Sequence, residues 1–387
     1  MEKKPNSKIK NTNSELPPDI LQLIFSKLPF FNLPTCRLVS KTWNNLILSC
    51  KFDPSISISD FFFAHFYSCR DRNLHCVELD PQHLEGMSTV ASFTFHPNFS
   101  SGSCKIQIIN SCSGLISLLI TKRRRRGHRP DVVCVLNPMT NEYFKLPTFR
   151  SKGDRVQNYF YGLGFNPRTK HYKLARTHFV CDEFIVDIYA FGTSCEWTPV
   201  GSVPYFLNEY HGVYFNGGLY WVGAQKLPNA GVSDYIDVIY RLDLEDEKFE
   251  QISFPLDGGD EGDSPYIGVY NGSLYLTLFC EDFEYHVWKM EEDFSWIKEF
   301  VLALPENVYS SLHCHHPVEY HLQLIKPCED GNILCLCAGL QLILYDPKTE
   351  TMEVLTDQDF EIKKYMWVHQ IDSFNFNSLQ HILAGKC

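Results

Sequence analysis

Residues 216–221 read Asn-Gly-Gly-Leu-Tyr-Trp, a tight-turn sequence followed directly by an apolar strand. The same turn-and-strand pattern recurs near residues 114, 272 and 332. Asn-Gly supplies the positive φ angles that a two-residue hairpin turn requires. A second pattern alternates with the first. It consists of an apolar strand, an acidic or Asx-Pro turn and a further strand, and it occurs at 135–147, 240–255, 287–300 and 343–355. The chain is therefore expected to contain a repeated β unit.

The repeat has a period of about fifty residues with about four strands in each unit, which is typical of a β-propeller blade. One further unit fits 162–174 with 186–200, and a weaker one begins at Phe61 and runs through residue 82. Six blades are predicted, with five or seven left open. The segment 366–376 is expected to add a closing strand to the first or last blade, because a ring of sheets must cover its edges.

Three aromatic residues stand at equivalent places in the repeat and are predicted to pack between blades: Trp197, Phe249 and Trp296. Cysteines within apolar strands are read as reduced, buried side chains (Cys134, Cys280, Cys335, Cys337). Cys335 and Cys337 would share one face of a strand and point into the core.

The segment before the repeats differs, because residues 16–48 read LPPDILQLIFSKLPFFNLPTCRLVSKTWNNLIL. Ile20, Ile24 and Leu28 recur every four residues, and this spacing predicts a helix that Pro29 ends. Two further short helices are predicted from Leu33 onward. These three short helices could bury their apolar stripes on the rest of the same chain. The alternative is a partner protein, favoured because everything after residue 55 reads as strands and offers no helix to complete a bundle.

This segment resembles an F-box, above all in the run CRLVSKTWNNLI (36–47). In that family the three helices dock on a small Skp-type adaptor, which a cullin scaffold holds in a ubiquitin ligase. The resemblance implies that ten residues face the adaptor or join the helices beneath it: Leu16, Pro17, Ile20, Leu21, Ile24, Leu28, Leu33, Cys36, Val39 and Trp43.

The repeats resemble the F-box-associated or kelch-like region of plant F-box proteins, on the segments 111–118, 135–147, 161–176 and 188–197. The expected architecture is mainly β with a small N-terminal α domain: a disordered tail (1–13), a three-helix F-box (14–55) and a kelch-like β-propeller (56–387). The resemblance implies a non-catalytic substrate-recognition subunit of an SCF-type (Skp–cullin–F-box) ubiquitin ligase, with a cullin and RING subunit reached through the adaptor. Two alternatives stay open, a non-ubiquitinating decoy and a propeller enzyme.

Composition restricts the function classes. The net charge of −11 disfavours bulk nucleic-acid binding, and no apolar run reaches the length of about 18 residues that spans a bilayer. The N-terminus has no apolar core of a secretory signal, so cytoplasm or nucleus is expected. The basic run Lys122–Arg126 is predicted to be a solvated loop, with a nuclear-import signal or a patch for an acidic partner as the alternatives.

No cofactor or metal is predicted. The densest group of metal-type side chains is 313–316 with His321, but adjacent donors alternate sides of an extended chain and cannot all reach one ion. No nucleophile elbow or phosphate loop is present, and Gly162 and Gly164 fit a strand and turn better. Target contacts are expected from inter-strand loops at 205–212, 224–236, 256–266 and 308–321.

Overall fold

The computed structural model of the 387-residue chain describes most of the repeat region and the three helices. The described residues are 16–28, 32–49, 61–66, 73–78, 88–94, 104–122, 132–138, 140, 142–147, 160–180, 183–193, 196–203, 206–207, 212–226, 235–255, 263–280, 283–306, 308, 321–328, 330–337, 341–355, 366–370 and 379. The chain divides into two compact units between residues 57 and 58.

The first unit contains three helices: α1 (Pro18–Lys27), α2 (Leu33–Arg37) and α3 (Lys41–Ser49). Pro17 is the N-cap of α1 and Pro18 is its first residue, where a missing N–H leaves no helical hydrogen bond unmade. α1 ends at Lys27 and the chain is extended at Leu28, in line with the predicted stop before Pro29.

The described residues of the second unit form 25 strands. Their bounds are β1 (Phe61–Phe66), β2 (Asn73–Glu78), β3 (Ser88–Thr94), β4 (Cys104–Cys112), β5 (Leu115–Lys122), β6 (Val132–Asn137), β7 (Glu142–Lys145), β8 (Phe160–Asn166), β9 (His171–Val180), β10 (Glu183–Ala190), β11 (Thr198–Val203), β12 (Phe206–Leu207), β13 (Val213–Phe215), β14 (Gly218–Lys226), β15 (Tyr235–Asp243), β16 (Phe249–Ile252), β17 (Asp263–Tyr270), β18 (Ser273–Cys280), β19 (Glu284–Met290), β20 (Trp296–Ala303), β21 (Leu322–Pro327), β22 (Ile333–Cys337), β23 (Gln341–Asp346), β24 (Thr351–Leu355) and β25 (Met366–Gln370).

The described strands form antiparallel sheets, numbered here in chain order. Sheet 1 has the order β25-β1-β2-β3; sheet 2 contains β4–β7, sheet 3 β8–β11, sheet 4 β12–β16, sheet 5 β17–β20 and sheet 6 β21–β24. The first strands of sheets 2, 3, 5 and 6, and β13 in sheet 4, lie against each other: β4 on β8, β8 on β13, β13 on β17 and β17 on β21. The sheets are thus arranged radially around their first strands, and the second unit is a β-propeller.

Six blades were predicted, and five of the sheets are complete blades formed by consecutive strands. Sheet 1 is different because it combines the two ends of the repeat region. β25 pairs with β1, and Phe62 lies opposite Gln370. The predicted closing strand is therefore confirmed over residues 366–370.

The core lies between the blades. On β14, Leu219 and Trp221 pack against sheet 3, whereas Tyr220 and Val222 pack against sheet 5. This alternation follows from the two-residue period of a strand. Similar apolar clusters join sheets 2 and 3 and sheets 5 and 6. Both faces of a blade are consequently buried by its neighbours.

The three aromatic residues predicted to pack between blades do so. Trp197 lies in the cluster between sheets 2 and 3, and its Nε1–H donates to the Pro147 carbonyl at 3.0 Å. Trp296 lies between sheets 4 and 5 and donates to the Ser253 carbonyl at 2.9 Å. Phe249 packs between sheets 3 and 4. The indole hydrogen bonds fix the outer strand of one blade to the preceding blade.

Candidate functional site

The three-helix unit has a small internal core. Phe25 of α1, Leu33 of α2 and Ile47 of α3 are fully buried, and Leu21 is nearly so. The Trp43 ring packs edge-on against Phe25 with ring centroids 5.0 Å apart. These contacts hold α1 and α3 together, although only a few large side chains are involved.

Polar contacts fix the helix ends and the turn between α2 and α3. The Ser40 hydroxyl accepts a hydrogen bond from the Trp43 N–H at 3.1 Å, which caps α3. Arg37 Nε donates to Asn44 Oδ1 at 2.7 Å, and Gln22 Nε2 donates to Ser49 Oγ at 3.3 Å. The turn therefore presents its residues in one defined orientation.

A second set of apolar side chains lies on the outside of this unit. Leu38 is 86% exposed and Val39 62% exposed, both in the turn held by Ser40. On α1, Leu23 is 58% exposed, and Ile20 and Ile24 are also exposed. Because helical residues are about 100° apart, Ile20, Leu23 and Ile24 form one stripe, separate from the buried stripe of Leu21 and Phe25. We call the outer set, with Leu16, the apolar face.

The ten residues carried over from the resemblance divide into three groups. Leu16, Pro17, Ile20, Ile24 and Val39 are exposed; Leu28, Cys36 and Trp43 are half-buried; Leu21 and Leu33 are buried. Leu21 and Leu33 thus belong to the internal core and not to the apolar face. Whether the exposed members bind an adaptor stays a prediction.

The sequence reading missed two prominent members of the apolar face. Leu23 lies three residues after Ile20 and directly before Ile24, so its helical spacing could have placed it on the outer stripe. Leu38 lies inside the characteristic CRLVSK run, but the sequence did not predict it to be an adaptor-facing residue. No local pattern predicts its exposure, because the exposure results from how the α2–α3 turn folds.

The propeller has two edges of different character. Tight turns join the first and second strands of a sheet, or β13 and β14 in sheet 4. In three of them both central residues have positive φ: Ser113-Gly114 and the two Asn-Gly turns at 216–217 and 271–272, for which the sequence predicted it. The Tyr172 hydroxyl donates to the Ser113 carbonyl and Asn166 Nδ2 to the Leu244 carbonyl, so turns of neighbouring sheets lie side by side. We call this side the turn edge.

The opposite side, the connection edge, is where the longer connections begin and end. They join β5 to β6, β7 to β8, β14 to β15, β16 to β17 and β20 to β21. The four predicted target-binding loops start or end here, but most of their residues lie outside the described ranges. At this edge the rings of Tyr266 and His321 have centroids 5.7 Å apart, and Phe283 and Ile236 are exposed.

The basic run begins at Lys122, which is the last residue of β5. β5 pairs with β6, so residues 123–131 connect two adjacent strands at the connection edge. Residues 123–126 and the histidine-rich run 313–316 lie outside the described residues. Within the part of the chain that the structure describes, no group of three His, Cys, Asp or Glu side chains is placed to hold a metal ion.

Cys134, Cys280, Cys335 and Cys337 are buried as predicted. Burial raises the pKa of Cys134 to about 12, although the charge of Lys145 opposes the shift. It raises the pKa of Cys337 to about 12 as well. Cys335 and Cys337 both lie in the cluster between sheets 5 and 6. These thiols are poor nucleophiles because the thiolate is disfavoured.

One buried charged cluster lies at the junction of sheets 2 and 3. Arg176 donates to Asp187 Oδ2 from Nε at 2.9 Å and from Nη2 at 2.7 Å, and its guanidinium lies 4.0 Å from the centre of the Trp197 ring. Burial lowers the pKa of His178; the Asp187 carboxylate opposes the shift and Arg176 adds to it. The cluster ties β9 to β10, and its charges are satisfied within the fold.

Gly162 and Gly164 lie on β8 and have a packing role. A Cβ at Gly162 would lie 3.0 Å from the Trp221 ring, and one at Gly164 would lie 2.3 Å from Leu244 Cδ1. The absent side chains allow sheet 4 to approach β8 closely. This agrees with the strand interpretation of the two glycines.

None of the helices in the described ranges has the length and apolar character needed to cross a membrane.

Comparisons with known proteins match both units. The family described as F-box domain matches residues 13–55, and the family described as F-box associated beta propeller domain matches residues 64–382. The F-box protein CPR1 of Arabidopsis thaliana is 26% identical over 381 residues, covering 89% of this chain and 85% of that protein. The F-box protein At3g07870 of the same plant is 24% identical over 377 residues, covering 86% of this chain and 85% of that protein.

Among solved structures, the periplasmic gluconolactonase PpgL of Pseudomonas aeruginosa is similar, with a TM-score of 0.40 and 11% identity over 76% of this chain and 81% of that chain. A likeness at this level carries no argument about activity.

Proposed function

Because this chain belongs to the family of F-box proteins with an F-box-associated β-propeller, we propose that it is the substrate-recognition subunit of an SCF-type ubiquitin ligase. On this proposal the three-helix unit binds a Skp-family adaptor, through which a cullin and a RING subunit are recruited. The propeller binds a target protein.

The apolar face is the observation that carries the proposal. A small unit that has completed its own core still exposes Ile20, Leu23, Ile24, Leu38 and Val39. Each large apolar side chain contributes about 1.5–3 kcal/mol when it is fully buried. Burying all five would contribute at most about 7–15 kcal/mol, which is of the same size as the cost of association, about 4–15 kcal/mol.

The proposal assigns no bond-making step to the chain. Ubiquitin transfer would take place on the RING side of the assembly, and the chain would act by raising the local concentration of the target's lysines. Target contacts are assigned to the connection edge, because the longer connections of the propeller meet there. The kelch-like character of the blades stays a prediction, since the matching family is described only as a β-propeller.

The compartment is proposed to be the cytoplasm, the nucleus or both. Support comes from four described cysteines that are free thiols: Cys36, Cys134, Cys335 and Cys337. Unpaired thiols in a chain with 15 cysteines suit a reducing compartment.

Co-purification with a plant Skp-family adaptor tests the proposal. The double variant Ile20→Asp with Val39→Asp places two charges on the apolar face and is expected to abolish co-purification. Asn45→Asp, which adds one charge to an exposed position of α3 outside this face, is the matched control and should bind normally. Undiminished binding of the double variant would overturn the assignment of the face.

A reconstituted assembly with cullin, RING subunit and a co-purified target separates a ligase subunit from a decoy. Ubiquitin chains on the target that disappear with the double variant support the proposal. Binding of both adaptor and target without ubiquitination would identify a sequestering module instead.

A further inference from the structure

One residue beyond β25 has an unexpected position. Leu379 is only 2% exposed and belongs to the apolar cluster between sheets 2 and 3. The same cluster contains Val133 of β6, Leu146 directly after β7, Tyr189 of β10 and Phe191 directly after β10. A residue near the C-terminus, which belongs to none of the described strands, therefore packs between two blades.

The backbone of Leu379 is bound as well as its side chain. Its N–H donates to Glu142 Oε2 at 2.5 Å. The same oxygen accepts from the Thr140 hydroxyl at 3.2 Å, and the Glu142 N–H donates to Thr140 Oγ1 at 3.4 Å. Thr140 thus holds the carboxylate in position. Hydrogen bonds to an ionised acceptor are stronger than those between neutral groups.

The end of β25 and Glu142 lie on the same edge of the propeller. β25 has the place in sheet 1 that the first strand has in the other sheets, so it ends at the turn edge, where β7 begins with Glu142. Leu379 lies nine positions after Gln370, and a fully extended chain of that length spans about 30 Å. This reach is sufficient for Leu379 to lie in the cluster between sheets 2 and 3.

We infer that the space lined by Glu142, Thr140 and the apolar side chains of sheets 2 and 3 is an intramolecular peptide-binding site, and that the chain's own C-terminal segment around Leu379 occupies it. The site recognises a leucine side chain and a backbone N–H. With β25 pairing to β1, it forms a second clasp on the propeller. The ring of blades can then open only after both attachments are released.

Amide hydrogen exchange of the full chain tests the clasp. Glu142→Ala removes the acceptor, and exchange at the Leu379 amide is expected to be at least tenfold faster. Glu353→Ala removes an exposed glutamate from the outer strand β24 of another blade and should leave that amide unchanged. Equal exchange in the wild-type and Glu142→Ala chains would overturn the inference.

Binding in trans is a second test. A chain ending at Ser373 keeps β25 and should bind a labelled peptide of residues 374–387, whereas the Leu379→Ala peptide should bind roughly thirtyfold more weakly. Equal binding of both peptides would overturn the inference. If the shortened chain fails to fold, exchange in full-length Leu379→Asp gives the answer, because neighbouring amides of that segment should lose protection. Protection found only in a dimer fraction would assign the site to the tail of a second copy and overturn the inference.

Discussion

Replacing Leu38 by alanine separates binding from folding more sharply than any other single change in the three-helix unit. Leu38 is 86% exposed, so the isolated chain loses almost no buried surface when the side chain is shortened. Leu33, five residues earlier, is fully buried in the core of the same unit. The two variants thus make the same chemical change, leucine to alanine, at one position on the apolar face and at one position inside the core.

Leu38→Ala is expected to weaken adaptor binding with little effect on folding, whereas Leu33→Ala is expected to weaken folding. Leu38→Ala removes about three carbon groups, worth about 0.8 kcal/mol each when they are buried in a complex. Binding to the adaptor should weaken by about 2 kcal/mol, or about thirtyfold. The stability of the free chain should change by no more than about 0.5 kcal/mol, as for other exposed positions. Leu33→Ala should cost about 2–5 kcal/mol of folding free energy in the helical unit.

Calorimetric titration with the purified adaptor measures the first quantity, and amide exchange in α1 and α3 measures the second. Leu38→Ala is expected to raise the dissociation constant while exchange in both helices stays as in the wild type. Leu33→Ala is expected to accelerate exchange in both. If Leu38→Ala binds the adaptor with unchanged affinity, the assignment of the apolar face as the docking surface is wrong.

Three further predictions concern the propeller. Gly212→Ala should lower its free energy of unfolding by about 1–3 kcal/mol in urea titration, because a Cβ there would lie 2.5 Å from the buried Trp221 ring; Gly201→Ala, with nothing within 4 Å of the new Cβ, should be neutral. Stability should fall as the pH drops below about 6.5, since the folded chain binds the His178 proton less tightly than the unfolded chain does; a fall of the same size in His178→Gln would exclude this histidine as a source. Deleting residues 123–129, which connect β5 and β6, should leave the melting temperature within about 2 °C, and loss of soluble protein would contradict a solvated connection.

The blades could be predicted from sequence because their turns have local chemical signatures. Asn216-Gly217 and Asn271-Gly272 adopt the positive φ angles that their sequences favour. The closing strand was also predictable, since an apolar stretch after the last repeat must cover an open edge. Five blades are each formed by one continuous segment, whereas sheet 1 combines two distant segments. The weak repeat unit at residues 61–82 only partly predicted this sheet.

Contacts between blades had no such signature. Asn110 Nδ2 donates to the Leu163 carbonyl at 2.7 Å, and Asn110 Oδ1 accepts from the Leu163 N–H at 2.9 Å, across 53 residues of sequence. Nothing near Asn110 in the chain identifies this partner. The position of Leu379 is a stronger case, because its acceptor Glu142 lies 237 residues away.

In the three-helix unit, periodicity identified the helices but did not separate their two apolar stripes. Ile20 and Leu21 are adjacent and equally apolar, yet one is exposed and the other is buried. The distinction depends on where α3 packs, which places Trp43 against Phe25. Only a tertiary contact of this kind tells an internal stripe from a docking stripe.

The most direct measurement of the central claim is amide hydrogen exchange of the full chain with and without a plant Skp-family adaptor. We expect slower exchange, on adaptor binding, at residues 20–24 of α1 and at residues 38–39, with the strands of sheets 2–6 unchanged. Protection confined to the strands, or no protection of these helical residues in a chain that demonstrably binds the adaptor, would contradict the account.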